Sequence, residues 1–180
     1  MRLENRIAIV TGAAGGIGEC VAKAFSAEGA TVLAADLNEA GANDTVESII
    51  KAGGKGEVSL VDVTNEDAVK KMVSDFSSNH GRLDIIATVA GTGQRHKFLE
   101  ATTKEFDRVM RVNLMGTFLC AQAAGREMAK QNYGRIVNIA SIAGTRAGSG
   151  RTAYGTSKSA VIGLTRQAAL ELAQHGITVN

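Results

Sequence analysis

The sequence of 180 residues predicts an α/β fold, a doubly wound parallel sheet with helices on both faces, formed as one domain over residues 1–180. Short apolar, partly β-branched runs alternate with longer segments whose apolar residues recur at helical spacing. The runs lack polar alternation, which is typical of strands buried on both faces. Strict alternation of such strands with helices implies right-handed crossovers between parallel strands.

Each element follows from its local pattern. The apolar runs predict five complete strands, at residues 6–11, 31–36, 56–61, 83–89 and 135–140. Between them, helical periodicity predicts helices that begin after the glycines at 12–18 and end near Gly29, then at 39–52, 64–79, 102–130 and 152–174. Two of these helices open with a predicted cap: Thr64 with Asp67 resembles a capping box, and Thr102 with Glu105 caps the long helix.

The sequence stops where a sixth strand begins, at residues 176–180. A chain that ends at the start of a central strand leaves a buried edge without a partner. We therefore expect the domain to be incomplete at its C-terminus, with the last strands missing.

Composition excludes several classes of function. A net charge of +2 with interspersed signs gives no electrostatic case for nucleic acid or an anionic membrane. The sequence has neither a long apolar run nor an apolar N-terminus, so we expect a cytoplasmic protein. Cys20 and Cys120 lie in apolar helical patterns, which favours buried, reduced thiols. No cluster of side chains has the spacing of a metal site.

Three glycines, Gly12, Gly16 and Gly18, lie between the first strand and the first helix. Glycines permit backbone conformations and close approaches that other residues do not. The N–H groups that open the helix can receive a pyrophosphate, so the turn predicts a Rossmann-like nucleotide site. The alternative is a tight strand-to-helix turn without a ligand.

Asp36 ends the second strand, 18 residues after Gly18. A carboxylate there can accept hydrogen bonds from both hydroxyls of an adenosine ribose and would repel a 2′-phosphate. Leu37 follows, and residues 13–17 contain no Arg or Lys, so the cofactor predicted is NAD rather than NADP. Asp36 could also be the N-cap of the next helix.

Tyr154 and Lys158 are four residues apart in a helical segment and therefore share one helix face. A phenol ordinarily ionises near pH ~10, and a neighbouring cation favours the phenolate. The pair therefore indicates acid–base chemistry. The alternative is an ordinary pair on a helix surface.

These motifs together resemble the short-chain dehydrogenase/reductase family over the whole chain. Residues 11–18 resemble the family's Thr-Gly-x-x-x-Gly-x-Gly turn, and Asp62-Val63 resembles the pair beside the adenine ring. Four further positions resemble the family's Asn-Ser-Tyr-Lys tetrad: Asn113, Ser141, Tyr154 and Lys158.

The resemblance implies a role for each tetrad residue. Tyr154 would exchange a proton with the substrate, Ser141 would hold the substrate oxygen, and Lys158 would bond the nicotinamide ribose. Asn113 would hold a water that links Lys158 to solvent. The cofactor-binding residues implied are Gly12, Gly16, Ile17, Gly18, Asp36, Asp62, Val63, Ala90, Gly91, Tyr154 and Lys158.

The chain departs from the family pattern after the fourth strand, where Thr88-Val89 replaces two asparagines. The loss of the Asn side chain that braces the sheet predicts less local rigidity. The missing tail would supply two strands, a contact to the nicotinamide carboxamide and the lid over the substrate.

The leading hypothesis is an NAD(H)-dependent oxidoreductase that interconverts a secondary alcohol and a ketone, both small molecules. The alternative is a truncated, non-catalytic module for nucleotide binding or interaction. By resemblance the complete protein is a homo-oligomer, and Phe118 and Leu119 could serve its interface or pack on the sheet. His96 could touch substrate or be solvated, while His80 and His175 suit helix C-termini.

Overall fold

The computed structural model describes residues 1–93 and 95–180 and confirms the predicted fold class. Six parallel strands form one sheet in the order β3-β2-β1-β4-β5-β6. The strands are β1 Ile7–Thr11, β2 Thr31–Asp36, β3 Lys55–Leu60, β4 Ile85–Thr88, β5 Gly134–Asn138 and β6 Ile177–Val179. The order reverses direction at β1, because β2 lies on one side of it and β4 on the other, which creates a crevice at the carboxyl edge.

The helices cover both faces of the sheet, and alternate residues of β1 pack against the helices on opposite faces. Ile7 and Ile9 belong to a core cluster that includes residues of α3, α5 and α6, while Ala8 and Val10 belong to a second cluster with α1 and α2. The helices are α1 Gly16–Ala27, α2 Glu39–Lys51, α3 Glu66–His80, α4 Thr103–Met110, α5 Gly116–Lys130 and α6 Thr152–Leu172.

One of the two predicted helix caps is confirmed. Thr102 precedes α4, and its hydroxyl accepts a hydrogen bond from the Glu105 amide at 3.2 Å. The prediction for Thr64 was wrong, because Asn65 caps α3 by accepting from the Ala68 amide. Thr64 instead donates its hydroxyl to Asp62 at 2.8 Å, so its side chain belongs to the preceding loop.

The long helix predicted at residues 102–130 contains a π-helical turn. α4 continues through Arg111–Met115, which is π-helical, into α5. Gly116 follows directly, and a Cβ there would lie 2.7 Å from the Cγ2 atom of Val63. The widened turn and the glycine together bring Asn113, which lies inside the π turn, against the carboxyl edge of the sheet.

The expectation of two buried thiols holds only for Cys120. Its side chain is buried, and burial raises the pKa of the Cys120 thiol to about 12. Cys20 is exposed. The buried face of α1 contains Gly18 and Ala22, four residues apart, and Cys20 lies midway between them in sequence and hence on the other side of the helix.

The amino edge of the sheet is held together by a buried carboxylate. Asp84 is fully buried and accepts hydrogen bonds from the Ile7 amide at 2.9 Å and from the guanidinium groups of Arg6 and Arg82. These bonds tie the start of β1 to the segment before β4. Over the part of the chain that the structure describes, we find no helix with the length and apolar character needed to cross a membrane.

Candidate active site

The carboxyl ends of β1, β2, β4 and β5 open into a crevice of about 820 Å³. Eleven of the thirteen site residues predicted from the sequence line it: Gly12, Ile17, Gly18, Asp36, Asp62, Val63, Ala90, Gly91, Ser141, Tyr154 and Lys158. Gly16 and Asn113 do not appear in the lining. The fold thus brings together residues that are up to 146 positions apart in sequence.

The glycine turn at the crevice floor requires glycine for two reasons. Gly12 has φ 72°, and a Cβ there would lie 2.7 Å from the backbone of Ala90. A Cβ on Gly18 would lie 1.9 Å from the carbonyl oxygen of Gly12. Gly16 is exposed with φ 54°, so its backbone angle accounts for its residue type. The first N–H groups of α1 have no side-chain cap, and they lie beside the crevice.

Asp36 faces this turn from the end of β2. Its carboxylate accepts a hydrogen bond from the Ala14 amide at 3.0 Å and another from the Asn38 amide at 2.9 Å. The alternative role as N-cap of α2 is excluded, because Asn38 caps that helix by accepting from the Gly41 amide. Each Asp36 oxygen has further lone pairs with which it can accept from a ligand hydroxyl.

The Tyr154–Lys158 pair lies on the first turns of α6 and faces the crevice. Lys158 Nζ is 5.9 Å from the centre of the Tyr154 ring and donates to the carbonyl oxygen of Ile139 at 2.6 Å. The Lys158 residue is 4% exposed, and this burial lowers the pKa of its ammonium group.

Ser141 lies just beyond β5 and lines the same crevice. Its hydroxyl oxygen accepts from the Ala143 amide at 3.1 Å and thereby caps a 3₁₀ turn over Ile142–Gly144. The acceptor role leaves the hydroxyl proton available for a bound molecule. Ser141 and Tyr154 therefore line one cavity with the glycine turn, which the predicted chemistry requires.

The side chain of Asn113 connects two elements beside the crevice, and the water relay implied by the resemblance stays a prediction. Asn113 is fully buried, accepts from the Thr92 amide at 2.7 Å and donates to the Thr92 carbonyl at 2.9 Å. Its second amide proton goes to the Ser157 hydroxyl at 3.0 Å. Ser157 in turn donates to the Tyr154 carbonyl at 2.7 Å. Asn113 therefore connects the loop after β4 to the helix that holds Tyr154 and Lys158.

Sequence reasoning missed three residues of this arrangement. Ser157 is fully buried, and only the fold shows that it meets Asn113. Thr92 and Arg108 line the crevice, and the Arg108 guanidinium donates to the Thr92 hydroxyl at 2.6 Å and to the Gly93 carbonyl at 3.0 Å. The only sequence signal was the position of Thr92, four residues after the end of a strand at the ligand-binding edge.

Other side chains brace the sheet after the fourth strand, while the lower local rigidity expected there stays a prediction. Thr88 donates its hydroxyl to the Asn138 side chain at 2.9 Å, and Asn138 donates to Thr165 on α6 at 3.0 Å. The Thr11 hydroxyl accepts from the amides of Val89 and Ala90. The short hydroxyl side chains of threonines on adjacent strands therefore form hydrogen bonds across the sheet where the longer asparagine was expected to form them.

The remaining candidates lie outside the crevice. His96 pairs with Glu105 at 3.1 Å, and His80 ends α3 and pairs with Glu57 at 2.8 Å. His175 lies in a 3₁₀ turn after α6. Leu119 is buried in the core beside the sheet, whereas Phe118 is partly exposed in a groove between α5 and α6. Within residues 1–93 and 95–180, no His, Cys, Asp and Glu side chains cluster as metal ligands.

Comparison with known proteins agrees with this geometry. The sequence profile of the short chain dehydrogenase family matches residues 6–180. The chain is 42% identical over 183 residues to secoisolariciresinol dehydrogenase of Forsythia intermedia, covering 99% of this chain and 65% of that enzyme. It is 36% identical over 180 residues to a 3-oxoacyl-[acyl-carrier-protein] reductase of Thermotoga maritima, covering all of this chain and 73% of the reductase.

Solved structures show the same similarity in three dimensions. An NAD⁺-bound xylitol dehydrogenase superposes with a TM-score of 0.97 at 36% identity, over 100% of this chain and 70% of that one. A short chain dehydrogenase from Mycobacterium smegmatis gives 0.96 at 34% identity, over 99% and 76%. Sequence profile, relatives and fold agree: this chain belongs to the short-chain dehydrogenase family of oxidoreductases.

Proposed function

We propose that the protein is an NAD(H)-dependent oxidoreductase that interconverts a secondary alcohol and a ketone. The observation that carries the proposal is the convergence of Tyr154, Ser141 and Lys158 on the crevice that also holds the glycine turn and Asp36. A proton-transfer group, a hydroxyl donor and a buried cation then line one crevice together with a site for a dinucleotide.

The residues present fit a dinucleotide. The turn at Gly12 and Gly18 has no room for side chains and leaves helix N–H groups for a pyrophosphate. The carboxylate of Asp36 suits the ribose hydroxyls, and Asp62 and Val63 line the same wall. When bound, the nicotinamide supplies the acceptor or donor of hydride.

The chain's own residues would handle the proton and the substrate oxygen. During oxidation of an alcohol, the hydroxyl proton passes to Tyr154 Oη, and in ketone reduction the phenol returns it. Ser141 donates its hydroxyl proton to the same substrate oxygen. Lys158, held by the Ile139 carbonyl, stabilises the phenolate through its positive charge. Asn113 and Ser157 anchor the helical turn that carries Tyr154.

The proton-transfer role is tested by Tyr154→Phe, with Tyr133→Phe as the matched control away from the crevice. With a panel of ketones and NADH, Tyr154→Phe should abolish turnover while fluorescence titration shows nearly unchanged NADH binding. Retained turnover would remove Tyr154 from the mechanism. NADH binding by the unaltered chain without turnover of any ketone would favour the alternative, a non-catalytic nucleotide-binding module.

The preference for NAD over NADP is tested by Asp36→Ala, with exposed Asp44→Ala on α2 as control. The ratio of NADPH to NADH dissociation constants should fall toward one in Asp36→Ala and stay unchanged in the control. An unchanged ratio in both would refute the ribose role.

The complete protein is further proposed to be a cytoplasmic homo-oligomer. The groove between α5 and α6, lined by Phe118 and Leu172 among others, is the surface that this assembly would use. Light scattering during size-exclusion chromatography tests this: a monomeric mass at micromolar concentration would refute it.

A further inference from the structure

A second depression, of about 400 Å³, lies beside the catalytic crevice, between the β5–α6 loop and the first turns of α6. Arg146 and Arg151 both line it, together with hydroxyl side chains of Thr145, Thr152 and Thr156, and the lining contains no Asp or Glu. Its lining shares no residue with that of the crevice. It is therefore a separate, positively charged cavity.

Neither arginine is neutralised nearby. Among the described residues, no ion pair involves Arg146 or Arg151, both of which are exposed. The β5–α6 loop contains no carboxylate at all. Glu105, on the facing helix α4, is paired with His96. An anion entering the depression thus meets two guanidinium groups without displacing a protein carboxylate.

The loop that holds the arginines packs against α6 at Gly144. Ser159 donates its hydroxyl to the carbonyls of Gly144 and Gly155, at 2.7 and 3.0 Å. A Cβ on Gly144 would lie 2.8 Å from the backbone of Lys158, so loop and helix are in direct contact. The contact fixes the start of the segment that carries Arg146 and Arg151 against α6, and a preformed backbone lowers the cost of binding a ligand there.

The depression also adjoins the reacting groups. Ser141 and Tyr154 line the crevice, while Ala143 and Gly155, only two residues and one residue further along, line the depression. A substrate whose carbon–oxygen bond lies between Ser141 and Tyr154 could therefore extend a charged group toward the arginines.

We propose that this depression binds a phosphate or carboxylate group, supplied by the anionic end of the substrate or by a free anion. Arginine recognises both groups through paired N–H donors. The assignment to substrate rests on the proposed function, whereas the anion site does not. The assignment to substrate predicts that ketones carrying a negative charge are preferred as substrates over neutral ketones of the same shape.

The first test is a titration of the ¹⁵N-labelled chain with inorganic phosphate, at constant ionic strength and with saturating NADH. Amide shifts at residues 145–156 should saturate, and the double variant Arg146→Gln/Arg151→Gln should weaken binding by about tenfold or more. Arg166→Gln, an exposed arginine further along α6, is the control and should bind as the parent does. Shifts that never saturate, or that the double variant leaves unchanged, would overturn the proposal.

The second test separates the two sources of the anion. Reduction of acetoacetate is compared with reduction of ethyl acetoacetate, and the double variant should lower kcat/KM about tenfold for the acid only. If phosphate binds but this ratio does not change, a free anion is the ligand. If NADH causes no shifts at residues 12–18, the proposed function fails, yet saturable phosphate shifts at residues 145–156 still support the site.

Discussion

Replacing Ser157 by alanine tests the link between Asn113 and the helix that holds Tyr154. The Ser157 hydroxyl is fully buried, accepts from Asn113 Nδ2 at 3.0 Å and donates to the Tyr154 carbonyl at 2.7 Å. In Ser157→Ala one amide proton of Asn113 is left buried without an acceptor. The Tyr154 carbonyl loses less, because a helix carbonyl also accepts from the backbone one turn later.

The expected losses of stability and activity in Ser157→Ala follow mainly from the lost bond to Asn113. A buried donor without a partner costs about 1–3 kcal/mol, so we expect the free energy of unfolding to fall by about 2 kcal/mol. Asn113 also holds Thr92, which lines the crevice, so a looser Asn113 should disturb the site. We expect kcat/KM to fall roughly tenfold, since small misplacements of reacting groups cost rate steeply.

The assay is urea denaturation followed by circular dichroism, paired with steady-state kinetics. Ser48→Ala is the matched control, because Ser48 donates to the Asp44 carbonyl at 2.9 Å on an exposed helix face. It loses the same kind of bond to its own helix without leaving a buried donor, so it should stay within about 0.5 kcal/mol of the parent. Equal stabilities for the two variants would refute the reasoning, because the Asn113 contact would then contribute nothing.

Three further predictions concern the glycine turn, the amino edge and the buried lysine. Gly18→Ala should abolish NADH binding in fluorescence titrations, because its Cβ would lie 1.9 Å from the Gly12 carbonyl oxygen, while Gly163→Ala on α6, outside the crevice and with open space around it, should bind normally. Asp84→Ala should lower the free energy of unfolding in urea by about 3 kcal/mol, since a buried amide and two guanidinium groups lose their acceptor. Burial lowers the pKa of Lys158, so the folded state loses that proton first as pH rises. Stability should therefore increase with pH between the folded pKa and the unfolded value of about 10.4, and Lys158→Met should lack this increase in urea midpoints.

Much of the fold was predictable because each strand and helix is encoded by its own residues. β2 was predicted at its observed bounds, Thr31–Asp36, and the other strands within two residues at each end. Buried strands need apolar residues on both faces, and amphipathic helices need them on one, so the period of the pattern reveals the element. The glycine turn and the pair on α6 were predictable for the same reason, since their spacing is local.

The sequence could not reveal which of two adjacent residues caps a helix, which face of a helix is buried, or which residues far apart in sequence form hydrogen bonds. Thr64 and Asn65 are both good N-caps, and the point at which the chain turns into α3 selects Asn65. Cys20 lies in an apolar segment, but the face that α1 turns to the sheet excludes it. The contact between Asn113 and Ser157 joins residues 44 positions apart.

The sequence by itself determined that this protein is a doubly wound α/β domain with a glycine turn, an acid after β2 and a Tyr–Lys pair. Only the tertiary structure decided that these groups share one crevice, that Ser157 and Thr92 support them, and that Arg146 and Arg151 line a cavity beside it. The reason is physical: backbone periodicity acts over a few residues, whereas burial and hydrogen-bond partners are set by which elements the sheet order places side by side.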